Sequence, residues 1–111
     1  MPWAVLRDPR FDTEFLALPE VARDACWHVI AALRRKPRSP GAGFRVERLR
    51  KLAPTEAWTA HFEKDRLRLL YVVDGETLIL FGVGTRPGFY GRLDRLRERQ
   101  SRKSRGDVKV P

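Results

Sequence analysis

Five residues in the second half of the chain are candidates for acid–base chemistry or for phosphate binding. His61 titrates near neutral pH and can accept a proton, whereas the planar guanidinium groups of Arg68 and Arg86 match the oxygens of a phosphate. Tyr90 can donate a proton or stack on a base, and Glu63 is a second candidate for the proton acceptor. The predicted elements decide which of these side chains can meet.

A β-hairpin is predicted between residues 67 and 83. Two runs rich in β-branched, aromatic and leucine residues, 67–73 and 77–83, flank Asp74-Gly75-Glu76, and Asp-Gly is typical of tight hairpin turns. The preceding run, 57–64, alternates between apolar and polar residues. This alternation predicts a half-buried strand that pairs with the hairpin.

The side chains of the alternating strand divide between two faces. The apolar face carries Trp58, Ala60 and Phe62, and the polar face carries Thr59, His61 and Glu63. A two-residue turn at Lys64-Asp65 would place His61 opposite Arg68 and Thr59 opposite Leu70. A slip by one residue would move the whole set, so the predicted proximity of His61 and Arg68 depends on this register.

Two helices are predicted before these strands. Asp8 is a capping residue, Pro9 fits a first helical turn, and the apolar residues that follow recur at helical spacing, which predicts a short helix over residues 9–18. Pro19 ends this helix and can open a second one, whose apolar residues form a single stripe as far as Leu33.

The segments between these elements give weaker patterns. Residues 36–43 contain two prolines and two glycines and predict a loop. Residues 44–52 are rich in arginine and alternate only weakly, so an edge strand and an irregular approach both remain open. Residues 3–6 predict an edge strand. Thr85 to Gly88 breaks the last strand, and a short basic helix is predicted from Tyr90 onward.

The predicted class is α+β, because the helices come first and most strands follow. A helical hairpin would pack on one face of a mainly antiparallel sheet of about four strands, with a short C-terminal helix and a partly open opposite face. Residues 1–100 are assigned to a single domain. Residues 101–111 are assigned to a basic, disordered tail.

The charge of the chain indicates a polyanionic partner. The 111 residues include 23 Lys and Arg against 14 Asp and Glu, a net charge of +9, which favours nucleic acid or an acidic protein. The single cysteine excludes an internal disulfide, and the two histidines give no cluster with zinc spacing. We therefore expect no metal and no cofactor. The N-terminal residues lack the apolar core of a signal peptide, so the expected location is cytoplasmic.

The order of these elements resembles the RelE/ParE superfamily of bacterial toxins from type II toxin–antitoxin pairs, over roughly residues 3–96. The most specific piece is an arginine, two hydrophobic residues and a tyrosine at Arg68 to Tyr71. An acidic-Gly turn, an apolar strand and Val83-Gly84-Thr85-Arg86 follow, with an aromatic residue shortly after.

This resemblance implies, for the RelE-like branch, a ribosome-dependent and metal-independent mRNA endonuclease that inhibits translation. By motif, Arg68 matches the arginine of the third strand, Arg86 the arginine that ends the fourth, and Tyr90 the C-terminal aromatic residue. RelE proper has two lysines on the second strand, where this chain has Thr59 and His61. The resemblance thus makes His61, Arg68, Arg86 and Tyr90 the candidate catalytic set.

Cleavage of RNA without a metal needs a base for the 2′-hydroxyl, cations for the charge that grows on the phosphate, and a donor for the leaving oxygen. His61 supplies the base, Arg68 and Arg86 the cations, and Tyr90 the donor. Each residue also has a purely structural alternative. His61 could be a surface histidine without a role, Arg68 could pair with a carboxylate across the sheet, and Tyr90 could pack the last helix onto the sheet.

Two other functions remain open at this point. A ParE-like member would inhibit DNA gyrase and would lack a nuclease site, and a relic would act only by forming a complex. In each case the resemblance and the charge imply a cognate acidic antitoxin, which folds as it binds the basic surface. The RelE-like function adds mRNA and the ribosome as partners.

Overall fold

The computed structural model describes residues 3–106, which form one five-stranded sheet with helices on both faces. The strand order is β1-β5-β4-β3-β2; β1 is parallel to β5, and the other neighbours are antiparallel. The elements in chain order are β1 (Ala4–Arg7), α1 (Pro9–Leu16), α2 (Glu20–Leu33), β2 (Phe44–Arg48), a 3₁₀ turn (Arg50–Leu52), β3 (Glu56–Phe62), β4 (Leu67–Asp74), β5 (Thr77–Thr85) and α3 (Arg86–Gly106). The α+β class is confirmed, and β2 raises the expected four strands to five.

The two N-terminal helices form where the sequence predicts them. The Asp8 carboxylate accepts the Arg10 backbone N–H at 2.9 Å, which caps α1, and Pro9 occupies the first turn. The side chains of Phe11 and Phe15 in α1 are buried, and the apolar stripe of α2 is buried beside them. Both helices therefore cover the same face of the sheet.

The central strand β4 is buried on both sides. Leu69, Tyr71 and Val73 pack into the cluster that contains the residues of α1 and α2. Leu70 and Val72 pack into a second, smaller cluster with Leu96 of α3. A strand covered on both faces has little reason to alternate, which explains the continuous apolar run.

The predicted register between β3 and β4 is confirmed. His61 pairs with Arg68, and Thr59 pairs with Leu70. The turn is longer than the predicted two residues, because β3 ends at Phe62 and β4 begins at Leu67. Glu63 therefore lies in the turn and not on the polar face of the strand, with a positive φ of 53°.

The third helix begins earlier and ends later than predicted. It starts at Arg86, directly after β5 ends at Thr85, so the last strand breaks where predicted. Pro87 lies in the first turn of the helix, where a proline loses no hydrogen bond. It continues to Gly106, and residues 107–111 of the predicted tail lie outside the described residues. No helix within residues 3–106 is long and apolar enough to cross a membrane.

Candidate nucleic-acid-binding site

One row of paired residues crosses four strands of the sheet on the face that carries α3. Arg45 of β2 pairs with His61 of β3, His61 pairs with Arg68 of β4, and Arg68 pairs with Gly84 of β5. Directly paired residues point to the same face, so two guanidinium groups flank the imidazole. The predicted proximity of His61 and Arg68 is therefore present, and Arg45 joins them.

His61 is buried between these neighbours, with 2% of its surface exposed. Its Nε2 atom lies 3.1 Å from Thr59 Oγ1 and 3.3 Å from Glu47 Oε1, while Nδ1 has no hydrogen-bond partner among the described residues. Burial lowers the pKa of His61, and the charges of Arg45 and Arg68 lower it further. The ring is therefore neutral at physiological pH.

Arg68 is the cation in this row without an acidic partner among the described residues. Its guanidinium lies over the ring of Phe89 in α3, 5.5 Å from the ring centroid, and its buried Nε has no hydrogen-bond partner there. Arg45 instead forms an ion pair with Asp65 at 3.4 Å, in which both side chains are more than half exposed. Such an exposed ion pair contributes little to the stability of the fold and can open readily.

The side chains of Arg86 and Tyr90 lie outside the described residues, so their predicted roles stay predictions. Their backbone positions are known: Arg86 follows Thr85, which pairs with Leu67, and it opens α3, where Tyr90 lies about one turn later. The backbone of both residues therefore lies near the end of the sheet that carries Arg68.

Helix α3 is held against the sheet by one carboxylate of α1. Glu14 accepts the backbone N–H of Val83 at 3.1 Å, and it forms ion pairs with Arg92 at 3.0 Å and Arg95 at 3.6 Å. Strand β1 pairs with β5 only as far as Leu80, which leaves the N–H of Val83 free for Glu14. The same carboxylate thus accepts a backbone N–H of β5 beyond the end of β1 and fixes the helix.

Two glycines of β5 make room for the Arg92 side chain. A Cβ atom at Gly84 would lie 1.8 Å from Arg92 Nη2, and one at Gly82 would lie 2.8 Å from Arg92 Cδ. The alternating glycines of Gly82-Val83-Gly84 therefore let α3 approach the strand closely.

Sequence reasoning missed Arg45, Glu47 and Glu14. The first two lie on β2, whose weak alternation left residues 44–52 unassigned, so no register could be extended across β3. Glu14 shows no local signal, because its role depends on where β1 ends along β5. The alternating glycines of β5 were the available sign of a close approach.

The tyrosine of the superfamily motif is a core residue. The hydroxyl of Tyr71 donates to the carbonyl oxygen of Pro37 at 2.7 Å, and the residue is fully buried. Burial raises the pKa of Tyr71 above its usual value, which keeps the phenol protonated. Tyr71 thus fixes the loop after α2 and does not face the row.

The described residues contain no group of three or more His, Cys, Asp or Glu side chains that could hold a metal ion. Cys26 is buried in α2, and burial raises the pKa of its thiol to about 12. A neutral thiol in the core is a poor nucleophile, so Cys26 serves as a small buried hydrophobic residue.

Solved toxin structures share this fold. The archaeal RelE–RelB complex from Pyrococcus horikoshii OT3 is similar with a TM-score of 0.65 and 17% identity, over 78% of this chain and 97% of that chain. The Mycobacterium tuberculosis toxin–antitoxin complex RelBE2 has a TM-score of 0.55 and 23% identity, over 78% of this chain and 100% of that chain. A mutant of the E. coli toxin RelE in the free state has a TM-score of 0.54 and 15% identity, over 86% of this chain and 98% of that chain. No protein-family model and no curated protein matches the sequence. The chain has the RelE fold.

Proposed function

We propose that this chain is the toxin of a type II toxin–antitoxin pair and acts as a ribosome-dependent, metal-independent mRNA endonuclease. The likeness to RelE structures supports the toxin function. The row of Arg45, His61 and Arg68 supports the nuclease, because it combines an imidazole with two cations on one face.

One observation carries the proposal. Arg68 presents a guanidinium beside His61, and no acidic side chain among the described residues neutralises it. A structural arginine at a partly buried position is normally paired, since an unpaired charge there costs free energy. An RNA phosphate would supply the missing anion and would accept the planar fork of the guanidinium.

The catalytic roles we propose combine the position of Arg68 with the residues matched by motif. Arg68 and Arg86 bind the phosphate and stabilise the charge that develops on it, and Tyr90 donates a proton to the leaving oxygen. The 2′-hydroxyl gives its proton to the pair formed by His61 and Glu47. These four positions predicted from the sequence, together with Glu47, are the proposed active site.

Primer extension on a defined mRNA in a reconstituted translation reaction tests the nuclease. The wild-type protein is expected to produce discrete cuts that require ribosomes. Arg68→Ala is expected to lower the cleavage rate roughly 100-fold or more, the size of effect found when a group that stabilises transition-state charge is removed.

Arg35→Ala is the matched control, because it removes one exposed cation at the end of α2 and leaves the row intact. An equal loss of cleavage in the two variants would mean that only the net charge of the protein matters. Intact mRNA in the presence of wild-type protein that still arrests growth would reject the nuclease.

The partner we propose is an acidic antitoxin that covers the basic surface. The net charge of +9 favours such a chain, and two of the similar structures are complexes of a toxin with its antitoxin. Co-expression with the acidic protein encoded beside the gene is expected to yield a complex that weakens with salt. Recovery of each protein alone at low salt would contradict this partner.

A second candidate function, inhibition of DNA gyrase, is favoured by the burial of β3. Thr59 and His61, which occupy the positions of the RelE lysines, are 1% and 2% exposed. Neither presents a free base on the surface of this state. Supercoiling by purified gyrase measures this alternative directly; an active toxin that stops gyrase and spares mRNA would replace the first proposal.

A further inference from the structure

The buried histidine and an exposed glutamate lie in close contact across β2 and β3. His61 Nε2 lies 3.3 Å from Glu47 Oε1, yet the two side chains differ sharply in exposure, at 1% for His61 and 60% for Glu47. Glu47 pairs with Thr59 in register, so it lies diagonally from His61 on the same face. A ligand on this face therefore meets the carboxylate before it meets the ring.

The surroundings of the neutral imidazole favour a proton on Nε2. A carboxylate only accepts hydrogen bonds, so Glu47 favours the tautomer in which Nε2 is the donor. The other tautomer would turn a lone pair of Nε2 toward the carboxylate and would bury an Nδ1–H, for which the described residues offer no acceptor. Thr59 can accept at the same nitrogen through Oγ1.

We propose that Glu47 is the catalytic base of this site and that His61 is a positioning residue, which donates its Nε2–H to the carboxylate from below. This assignment rests on the proposed nuclease function. It differs from the expectation drawn from the sequence, in which His61 itself takes the proton.

The reaction balances with these groups. A carboxylate oxygen of Glu47 takes the proton of the 2′-hydroxyl as the O2′–P bond forms and the P–O5′ bond breaks. The leaving O5′ receives a proton from the acid of the site, assigned to Tyr90, and the product is a cyclic 2′,3′-phosphate. No electron transfer and no further reactant are needed.

The cations of the row lie where the phosphate must be. Arg45 is two residues before Glu47 on the same face of β2, and Arg68 lies two strands away, about 10 Å at two strand spacings. Arg45 is held by an exposed ion pair with Asp65 that a phosphate can replace. His61 lies between the two arginines and beside Glu47, which suits a residue that orients the base.

Isosteric substitutions at both positions separate the two roles. Glu47→Gln keeps the shape and an acceptor for the Nε2–H but removes the base, and we expect a loss of cleavage of roughly 100-fold or more. Glu76→Gln, which removes a carboxylate at the opposite end of β4, is the matched control and is expected to cleave like the wild type. A loss below about tenfold in Glu47→Gln would overturn the assignment, because general-base catalysis contributes more than that.

The conservative variant of His61 gives the sharper contrast. Gln in place of His61 offers an amide N–H to Glu47 but cannot take a proton, whereas Leu offers neither. We expect His61→Gln to cleave at least roughly tenfold faster than His61→Leu, as a preserved hydrogen bond to a charged group requires. Equal inactivity of two folded variants would make His61 the base and would overturn the proposal.

A measurement without RNA keeps the proposal separate from the nuclease function. Long-range ¹H–¹⁵N spectra of the imidazoles report the tautomer, and the chain has only two histidines. We expect His61 to carry its proton on Nε2, with a shift of that resonance in Glu47→Gln. A proton on Nδ1 would overturn the hydrogen bond itself.

An inactive wild-type protein with the expected tautomer would instead reject the nuclease, and the catalytic role of Glu47 with it. An active wild type with an equally active Glu47→Gln rejects the role of Glu47 alone.

Discussion

Two groups of arginines lie on the same face of the sheet, and they differ in their partners. Arg92 and Arg95 share the Glu14 carboxylate and lie largely buried against β5. Arg68 pairs with Gly84, the residue that the Arg92 guanidinium covers, and it has an aromatic ring beside it but no acid among the described residues. The first group is complete within the chain, whereas the second lacks an anion.

This difference indicates what each group contributes. A carboxylate that accepts a backbone N–H and forms ion pairs with two guanidinium groups fixes a helix to a strand, and its loss must lower the stability of the fold. An arginine whose charge is left unneutralised contributes little to stability and remains available for an anionic ligand. The paired group therefore supports α3, whose first turns contain the backbone of Arg86 and Tyr90.

The largest effect on stability is expected from removal of the shared carboxylate. Glu14→Ala leaves the N–H of Val83 without its acceptor and Arg92 and Arg95 without their anion, and we expect a loss of about 2–3 kcal/mol in the free energy of unfolding. Urea denaturation measures it. Asp12→Ala removes the acid of an exposed pair with Arg7 on the same helix and is expected to cost less than about 1 kcal/mol. Similar losses in both variants would remove the special role of Glu14.

A second effect is expected at the glycines under Arg92. Gly84→Ala places a methyl group where the guanidinium lies, and we expect a loss of about 1–3 kcal/mol, as in other overpacked sites. Gly91 is exposed in α3 with nothing near its position, so Gly91→Ala is expected to stabilise the helix by about 0.5–1 kcal/mol. Opposite signs in thermal unfolding support the close approach, and a neutral Gly84→Ala contradicts it.

The sequence could predict what depends on neighbours along one hairpin. The register of His61 and Arg68 followed from alternation on β3 and the turns beside it, both of which are local. The paired group could not be predicted in this way, since Glu14 and Arg92 come together only after β1 stops short along β5. Glu47 lies between these cases: its pattern is local, but the arginine-rich segment 44–52 did not separate a strand from a loop.

The buried His61 is expected to make the stability of the fold depend on pH. His61 has a lowered pKa in the folded protein, so the unfolded chain binds a proton more readily once the pH falls below about 6.5. Stability is therefore greatest above that value and falls as the pH decreases toward the folded pKa.

His61→Gln isolates this contribution, because the other histidine of the chain is the same in both proteins. We expect the denaturation midpoint of the wild type to fall more steeply than that of His61→Gln between about pH 7 and pH 5. Parallel curves would mean that the ring is not held neutral between Arg45 and Arg68.

The smallest effect on stability is expected at Arg68, and it is the sharpest test of the contrast. Arg68→Ala removes the contact with Phe89, worth about 0.5–1 kcal/mol, but also removes a charge that lacks a partner. We therefore expect a change below about 1 kcal/mol, against a loss of about 2 kcal/mol for Arg92→Ala, whose guanidinium is paired with Glu14. Denaturation of the two variants in parallel, followed by the cleavage assay on Arg68→Ala, gives both halves of the comparison. If Arg68→Ala unfolds as readily as Arg92→Ala, Arg68 supports the fold as Arg92 does, and a loss of cleavage in that variant no longer indicates phosphate binding.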